Sequence, residues 1–190
     1  MKTTDVKNIK ISKKYSNALL ETAQASNKTE KIYNDLVFIV ETINTNKQFA
    51  DFLLSPIISA EDKKEVIMKV FSVHIEKITL DFLYLLSEHN RLNILNEILN
   101  QFSGSYNELN NIVKPVIISA VELNNEQKNK IVEKLQSKLY KKISPEYLID
   151  SEIIGGLIIE IGDKTIDCSL KTKFENMKKQ LTKGNRYGSN

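Results

Sequence analysis

Between residues 5 and 110 apolar side chains recur every three or four positions, the period of an amphipathic helix. Ile11, Tyr15, Ala18, Leu19, Thr22 and Ala23 form one stripe, and Ile32, Leu36, Ile39, Val40 and Ile43 form a second. Phe49, Phe52 and Leu53 mark a short third helix. Ser55-Pro56 ends it, because the residue before a proline avoids helical backbone. Ser59-Ala60-Glu61-Asp62 reads as a capping box that opens a helix through Val66, Ile67, Val70 and Phe71. Ile75 to Glu88 predicts a fifth helix and Leu92 to about Asn110 a sixth. Single helices of this length are marginal in water, so the stripes must bury one another. The expectation is an N-terminal six-helix bundle.

The period changes near Asn110-Asn111. Val113 to Val121 reads as a strand, with Pro115 placing its start at an edge or end. Asn124 and Gln127 cap a helix whose stripe, Ile131, Leu135 and Leu139, is assigned to core. Ser144-Pro145 breaks that helix, and Tyr147–Ile149 suggests a short strand. Leu157 to Ile161 is apolar enough for a buried strand, Gly162-Asp163-Lys164 is a turn, and Thr165-Ile166-Asp167 resumes the strand. A lysine-rich helix follows from Ser169 to Leu181, with Asp167 and Ser169 able to cap it. The fold class predicted is α+β. The six-helix bundle spans 1–110, a small α/β C-terminal domain spans 111–183, and a polar tail spans 184–190 and is expected to be disordered.

Composition narrows the function. The chain has 190 residues, 41% hydrophobic and 27% charged, with a net charge of +3. Arg91 and Arg186 are its only arginines among 27 basic residues. Lysine reads phosphates and bases less well than arginine, so nucleic acid is disfavoured as a partner. The apolar runs fall far short of the ~20 residues that cross a bilayer, which predicts no direct membrane insertion. No signal peptide is evident, and the first ten residues make a poor transit peptide. Cys168 is the single cysteine and is expected to be a buried, inert thiol. Abundant Lys, Asn and Ile suggest an AT-rich genome.

Catalytic chemistry is missing from the sequence. His74 and His89 have no partner at metal-ligand spacing, so they read as solvated or core-edge residues. Gly155-Gly156 precedes a strand and is not followed by Lys-Ser/Thr. It predicts a backbone bend rather than a phosphate loop. No catalytic residue, cofactor site or metal site is predicted.

Four stretches carry a family resemblance. The segment Asp150-Ser151-Glu152-Ile153-Ile154-Gly155-Gly156, continued by an apolar strand, Gly162-Asp163 and Ile166-Asp167-Cys168-Ser169, resembles the C-terminal signature of the delta subunit of F-type ATP synthase. That is the oligomycin-sensitivity-conferring protein family. Ser12-Lys13-Lys14-Tyr15-Ser16-Asn17-Ala18-Leu19, Glu88-His89-Asn90-Arg91-Leu92-Asn93-Ile94-Leu95 and Val116-Ile117-Ile118-Ser119-Ala120-Val121-Glu122-Leu123 resemble three further family motifs. Order and spacing agree from about residue 10 to 181.

The resemblance implies a non-catalytic stator subunit in the peripheral stalk, part of a hetero-oligomeric complex. It implies a helical domain that grips the N-terminal helices of the alpha subunits in a groove between its first and fifth helices. It implies a C-terminal part that holds the b or b′ stalk subunits. Helix-in-groove binding needs apolar anchors at helical spacing. Tyr15, Ala18, Leu19 and Thr22 supply such a face on the first helix, and Ile78, Phe82, Leu85 and Leu86 on the fifth. The competing reading makes each of them bundle core. Arg91 and Asn90 read as residues that fix a turn. The AT-rich bias leans toward a plastid genome, hence the stromal side of a chloroplast thylakoid membrane. The alternative is the cytoplasmic side of a bacterial inner membrane. Rival functions are an unrelated helical scaffold or RNA-associated adaptor, and an enzyme with a cryptic site in the α/β part.

Overall fold

A computed structural model describes residues 3–184. The chain divides into two compact units, Met1–Leu109 and Asn110–Asn190. The expected disordered tail lies outside the described residues, apart from Gly184, which closes the last helix.

The first unit holds α1 (Thr3–Ala25), α2 (Thr29–Thr45), α3 (Lys47–Leu54), α4 (Ala60–Phe71), α5 (Lys77–Glu88) and α6 (Leu95–Leu109). Side chains satisfy the free amides at several helix starts. Asn46 accepts from the Phe49 amide at the head of α3. At α4 the Ser59 hydroxyl accepts from the Asp62 amide at 3.1 Å and donates to the Asp62 carboxylate at 2.8 Å. That second bond takes the place of the return bond to backbone that a full capping box would make. The fifth helix begins two residues later than the sequence suggested, and Ile75 joins the core ahead of it. Leu92–Ile94 is a 3-10 turn rather than the start of α6. The core gathers much of the predicted stripes: Leu19, Ile32, Leu36, Ile39, Leu53, Ile67 and Phe71 are buried, and Leu83, Ile98 and Phe102, which the stripes did not include, are buried with them. Ala18, Thr22 and Val70 are exposed instead.

In the second unit the single strand expected over Val113–Val121 is two. Pro115 has no amide to continue a ladder. The chain breaks there into β1 (Ile112–Val113) and β2 (Val116–Ser119). The strand β1 pairs in parallel with β3 (Lys142–Ile143), which the sequence did not reveal. The larger sheet has the order β4-β2-β5-β6, with β4 at Glu146–Ile149, β5 at Leu157–Ile161 and β6 at Lys164–Asp167. The strand β2 is therefore interior, parallel to β4 and antiparallel to β5. α7 (Asn125–Leu139) connects β2 to β3. Its start carries the full capping box of Asn124 and Gln127. It ends at Tyr140, which adopts left-handed backbone at φ 53°, before Ser144-Pro145 is reached. β5 is only half-buried, not the buried strand expected. Cys168 is exposed, which corrects the expectation of a buried thiol.

Gly155-Gly156 is a bend, and Gly156 needs to be glycine. Its φ is +80°, and a Cβ there would lie 2.3 Å from the Cys168 carbonyl oxygen. The close approach lets the Cys168 amide donate to the Leu157 carbonyl and the Leu170 amide to the Gly155 carbonyl, at 2.9 and 2.8 Å. α8 (Leu170–Gly184) follows directly. Asp167 accepts from the Ser169 amide at 2.8 Å and the Thr172 hydroxyl at 2.7 Å, while the Ser169 hydroxyl accepts from the Thr172 amide. These bonds hold the Asp167 carboxyl below its ordinary range, the Ser169 amide most of all.

Candidate partner-binding groove

α1 and α5 run antiparallel. Arg91, just past the end of α5, bonds Tyr15 near the middle of α1. Glu76, just before α5, bonds Lys28, just past the end of α1. Between the two helices lies an open groove of about 660 Å³. Seven of the eight residues selected from the sequence line it: Tyr15, Ala18, Leu19 and Thr22 on α1, and Ile78, Phe82 and Leu85 on α5. Leu19 and Phe82 are buried and make its floor, while Leu85 is 40% exposed on its wall. Ala18, with its small side chain, leaves the backbone of α1 open to close approach. Leu86 is corrected: it is fully buried in the core and does not reach the groove.

Local chemistry holds the two ends of α5. At its start the buried Asp35 carboxylate, reaching from α2, accepts from the Glu76 amide and the Thr79 hydroxyl, both at 2.8 Å. A cap supplied from another helix satisfies the first turn and fixes where α5 begins. Glu76 itself sits between two ammonium groups, Lys28 at 2.7 Å and Lys31 at 2.8 Å. Their hydrogen bonds hold its carboxyl down at about 2. The Lys31 ammonium is raised in turn, chiefly by the same bond.

At its end α5 is stopped by Asn90, which adopts left-handed backbone at φ 52°. The Asn90 amide donates to the Ser87 carbonyl and the Arg91 amide to the Leu86 carbonyl, the paired bonds of a Schellman motif. The turn role expected of Asn90 is thus visible. Arg91 does more. Its guanidinium donates to the Tyr15 hydroxyl at 2.6 Å and lies 5.3 Å from the Tyr15 ring centre. The same ring meets Phe82 edge-on at 6.1 Å. Arg91, Lys14 and Asp81 complete the lining, and the sequence reading missed all three. The available signal was Arg91 itself, a planar five-donor cation in a chain that otherwise uses lysine.

The second unit has a smaller groove, of about 480 Å³, lined by Val121, Leu123, Ile131, Ile154 and Leu157 among others. Ile154 holds φ +66°, a strained conformation for a β-branched residue. On α8, Leu170, Phe174, Met177 and Leu181 form an exposed apolar stripe, from 39% to 75% exposed. His74 and His89 are both exposed. Among the described residues no helix is long and apolar enough to cross a membrane.

The family described as ATP synthase delta (OSCP) subunit matches residues 11–181. The chain is 37% identical over 173 residues to ATP synthase subunit delta of Acetivibrio thermocellus, covering 90% of this chain and 97% of that one. It is 35% identical over 167 residues to the sodium-ion-specific ATP synthase subunit delta of Ilyobacter tartaricus, covering 88% and 95%. In fold it is similar to a chain of the Toxoplasma gondii mitochondrial ATP synthase hexamer. There the TM-score is 0.73 at 19% identity, covering 90% of this chain and 97% of that one.

Proposed function

Because the chain belongs to the ATP synthase delta (OSCP) subunit family, and so is a non-catalytic subunit of the rotary ATP synthase, we propose how its two units serve the stator. The helical unit, taken as a six-helix bundle, receives an N-terminal helix of an alpha subunit in the α1–α5 groove. Tyr15, Ala18, Leu19, Thr22, Ile78, Phe82 and Leu85 are the contact residues. One observation carries this reading: an apolar trough is left open between two antiparallel helices, lined by Tyr15, Ala18, Leu19 and Thr22 on one and Ile78, Phe82 and Leu85 on the other. Groove binding of an amphipathic helix uses such anchors. The unit Asn110–Asn190 holds the b-type stalk subunits, and the exposed stripe on α8 supports that division of labour. Together the contacts keep the catalytic head still while the rotor turns.

The lean toward a plastid genome finds no support, since the delta-subunit relatives reported above come from bacteria. The subunit belongs to a membrane-associated complex. We place it on the cytoplasmic side of a bacterial inner membrane, held by protein contacts. The test is a calorimetric titration of the full chain with a peptide of the alpha subunit's N-terminal helix. Saturable one-to-one binding supports the groove. No binding by folded protein removes it.

A further inference from the structure

On the core-facing side of α4 a lysine stands where helical spacing calls for an apolar residue. Lys63, Ile67 and Phe71 recur every four positions, and all three are buried. Lys63 is only 3% exposed. It lines a cavity of about 200 Å³, whose other walls are the end of α3, at Leu53 and Leu54, and the turn after α5, at Asn90, Leu92 and Asn93. Among the described residues the Lys63 ammonium forms no ion pair. Neither it nor the side-chain amides of Asn90 and Asn93 hydrogen-bonds to another described residue. No carboxylate lines the cavity. Of the acids beside these residues in sequence, Glu88 pairs with Lys64, the Asp62 carboxylate accepts from Ser59, and Asp51 and Glu61 are exposed.

A buried ammonium with neither counter-ion nor acceptor is strongly unfavourable, and a bound anion removes that penalty. Lysine brings three N–H donors and each asparagine two, so the lining can surround an acceptor with several bonds, one of them charge-assisted. The space is smaller than the roughly 300 Å³ at which pockets begin to hold drug-sized ligands, and suits a group of a few heavy atoms. We propose that Lys63, Asn90 and Asn93 form a binding site for a small oxyanion, a phosphate or a carboxylate group. Bound there, the anion ties α4 to the end of α3 and to the turn after α5. The site is separate from the α1–α5 groove and does not depend on what that groove receives.

The test is a nuclear magnetic resonance titration of the full chain with sodium phosphate and, separately, with sodium acetate, at ionic strength matched by sodium chloride. Saturable shifts of the Asn90 and Asn93 side-chain amide signals are expected with at least one of the two. Tighter binding of phosphate identifies a free ion as the occupant, and binding of acetate alone identifies a carboxylate from another chain. Lys63→Met, which keeps the apolar stem, should weaken the binding about tenfold or more, the size of a charge-assisted hydrogen bond. Asn93 is exposed, so Asn93→Ala should fold, and it should weaken binding about threefold, read from the Asn90 signal. No saturable shift with either anion overturns the proposal. Undiminished affinity in Lys63→Met overturns it too, and if that variant does not fold, undiminished affinity in Asn93→Ala does so instead.

Discussion

The Arg91 guanidinium donates a 2.6 Å hydrogen bond to the Tyr15 hydroxyl across 76 positions of sequence. The bond ties the turn after α5 to the middle of α1, and so braces one end of the groove. It exists because Asn90 turns the chain through left-handed backbone and delivers Arg91 to α1.

Tyr15→Phe removes that hydroxyl and leaves the ring contact with Phe82. The expected loss is about 1 kcal/mol of unfolding free energy, the net worth of one hydrogen bond. Urea denaturation of the two proteins measures it.

Ala18→Asp and Phe82→Ala should separate binding from folding. Ala18 is exposed, so the aspartate leaves the fold intact while placing a charge where an apolar helix must seat. Peptide affinity should fall at least tenfold, by roughly 1.4 kcal/mol or more, with the melting temperature unchanged. Phe82 is only 8% exposed, and its truncation should destabilise the unit by about 3 kcal/mol. Calorimetric titration and thermal melts together show both effects.

Asp35→Ala deletes the cap that α2 supplies to α5. The Glu76 amide and Thr79 hydroxyl lose their partner. The expected destabilisation is about 2 kcal/mol, and Asp35→Asn, which keeps an acceptor, should lose less. Amide hydrogen exchange of the first turn of α5 should accelerate in the alanine variant.

Acid should unsettle the ion cluster at the same helix start. Glu76 is held at about 2 when folded, against an ordinary 4.5, so folding favours its charged form. Its contribution is fully present above pH 4.5 and is lost as pH falls toward 2. Glu88, held down by Lys64, and Asp167, held down by the Ser169 amide, act in the same direction. Glu76→Gln should flatten the dependence of stability on pH between 4.5 and 2. An unchanged slope in a pH series of denaturation curves would remove this account.

Two glycines should respond oppositely to alanine. Gly156 sits at φ +80° against the Cys168 carbonyl, so Gly156→Ala should cost about 2 kcal/mol or more. Gly104 lies inside α6 with nothing near its Cβ direction. Gly104→Ala should stabilise by up to about 1 kcal/mol. Chemical denaturation of both variants checks the sign of each.

What the sequence determined by itself is local. Helical periodicity, caps such as Asn124-Gln127 and breakers such as Ser55-Pro56 act within a few residues, and they place the helices to within a turn or so. The apolar pattern marked the faces of α1 and α5, because a face at i, i+4 and i+7 is set by helix geometry, while the groove between them came from the family resemblance; seven of the residues so chosen line it. The pattern could not choose between Leu85 and Leu86. Neighbours on a helix lie about 100° apart, and which one turns inward depends on what packs beside it. Nor could it divide Val113–Val121 into two strands with different partners, or expose Cys168. Asp35 reading as a cap for α5, and Arg91 as the brace on Tyr15, were out of reach for the same reason. Those contacts join residues far apart in sequence. They form only when the packed helices bring the groups within hydrogen-bond distance, and the energy that selects them lies in burial and pairing that no local window contains.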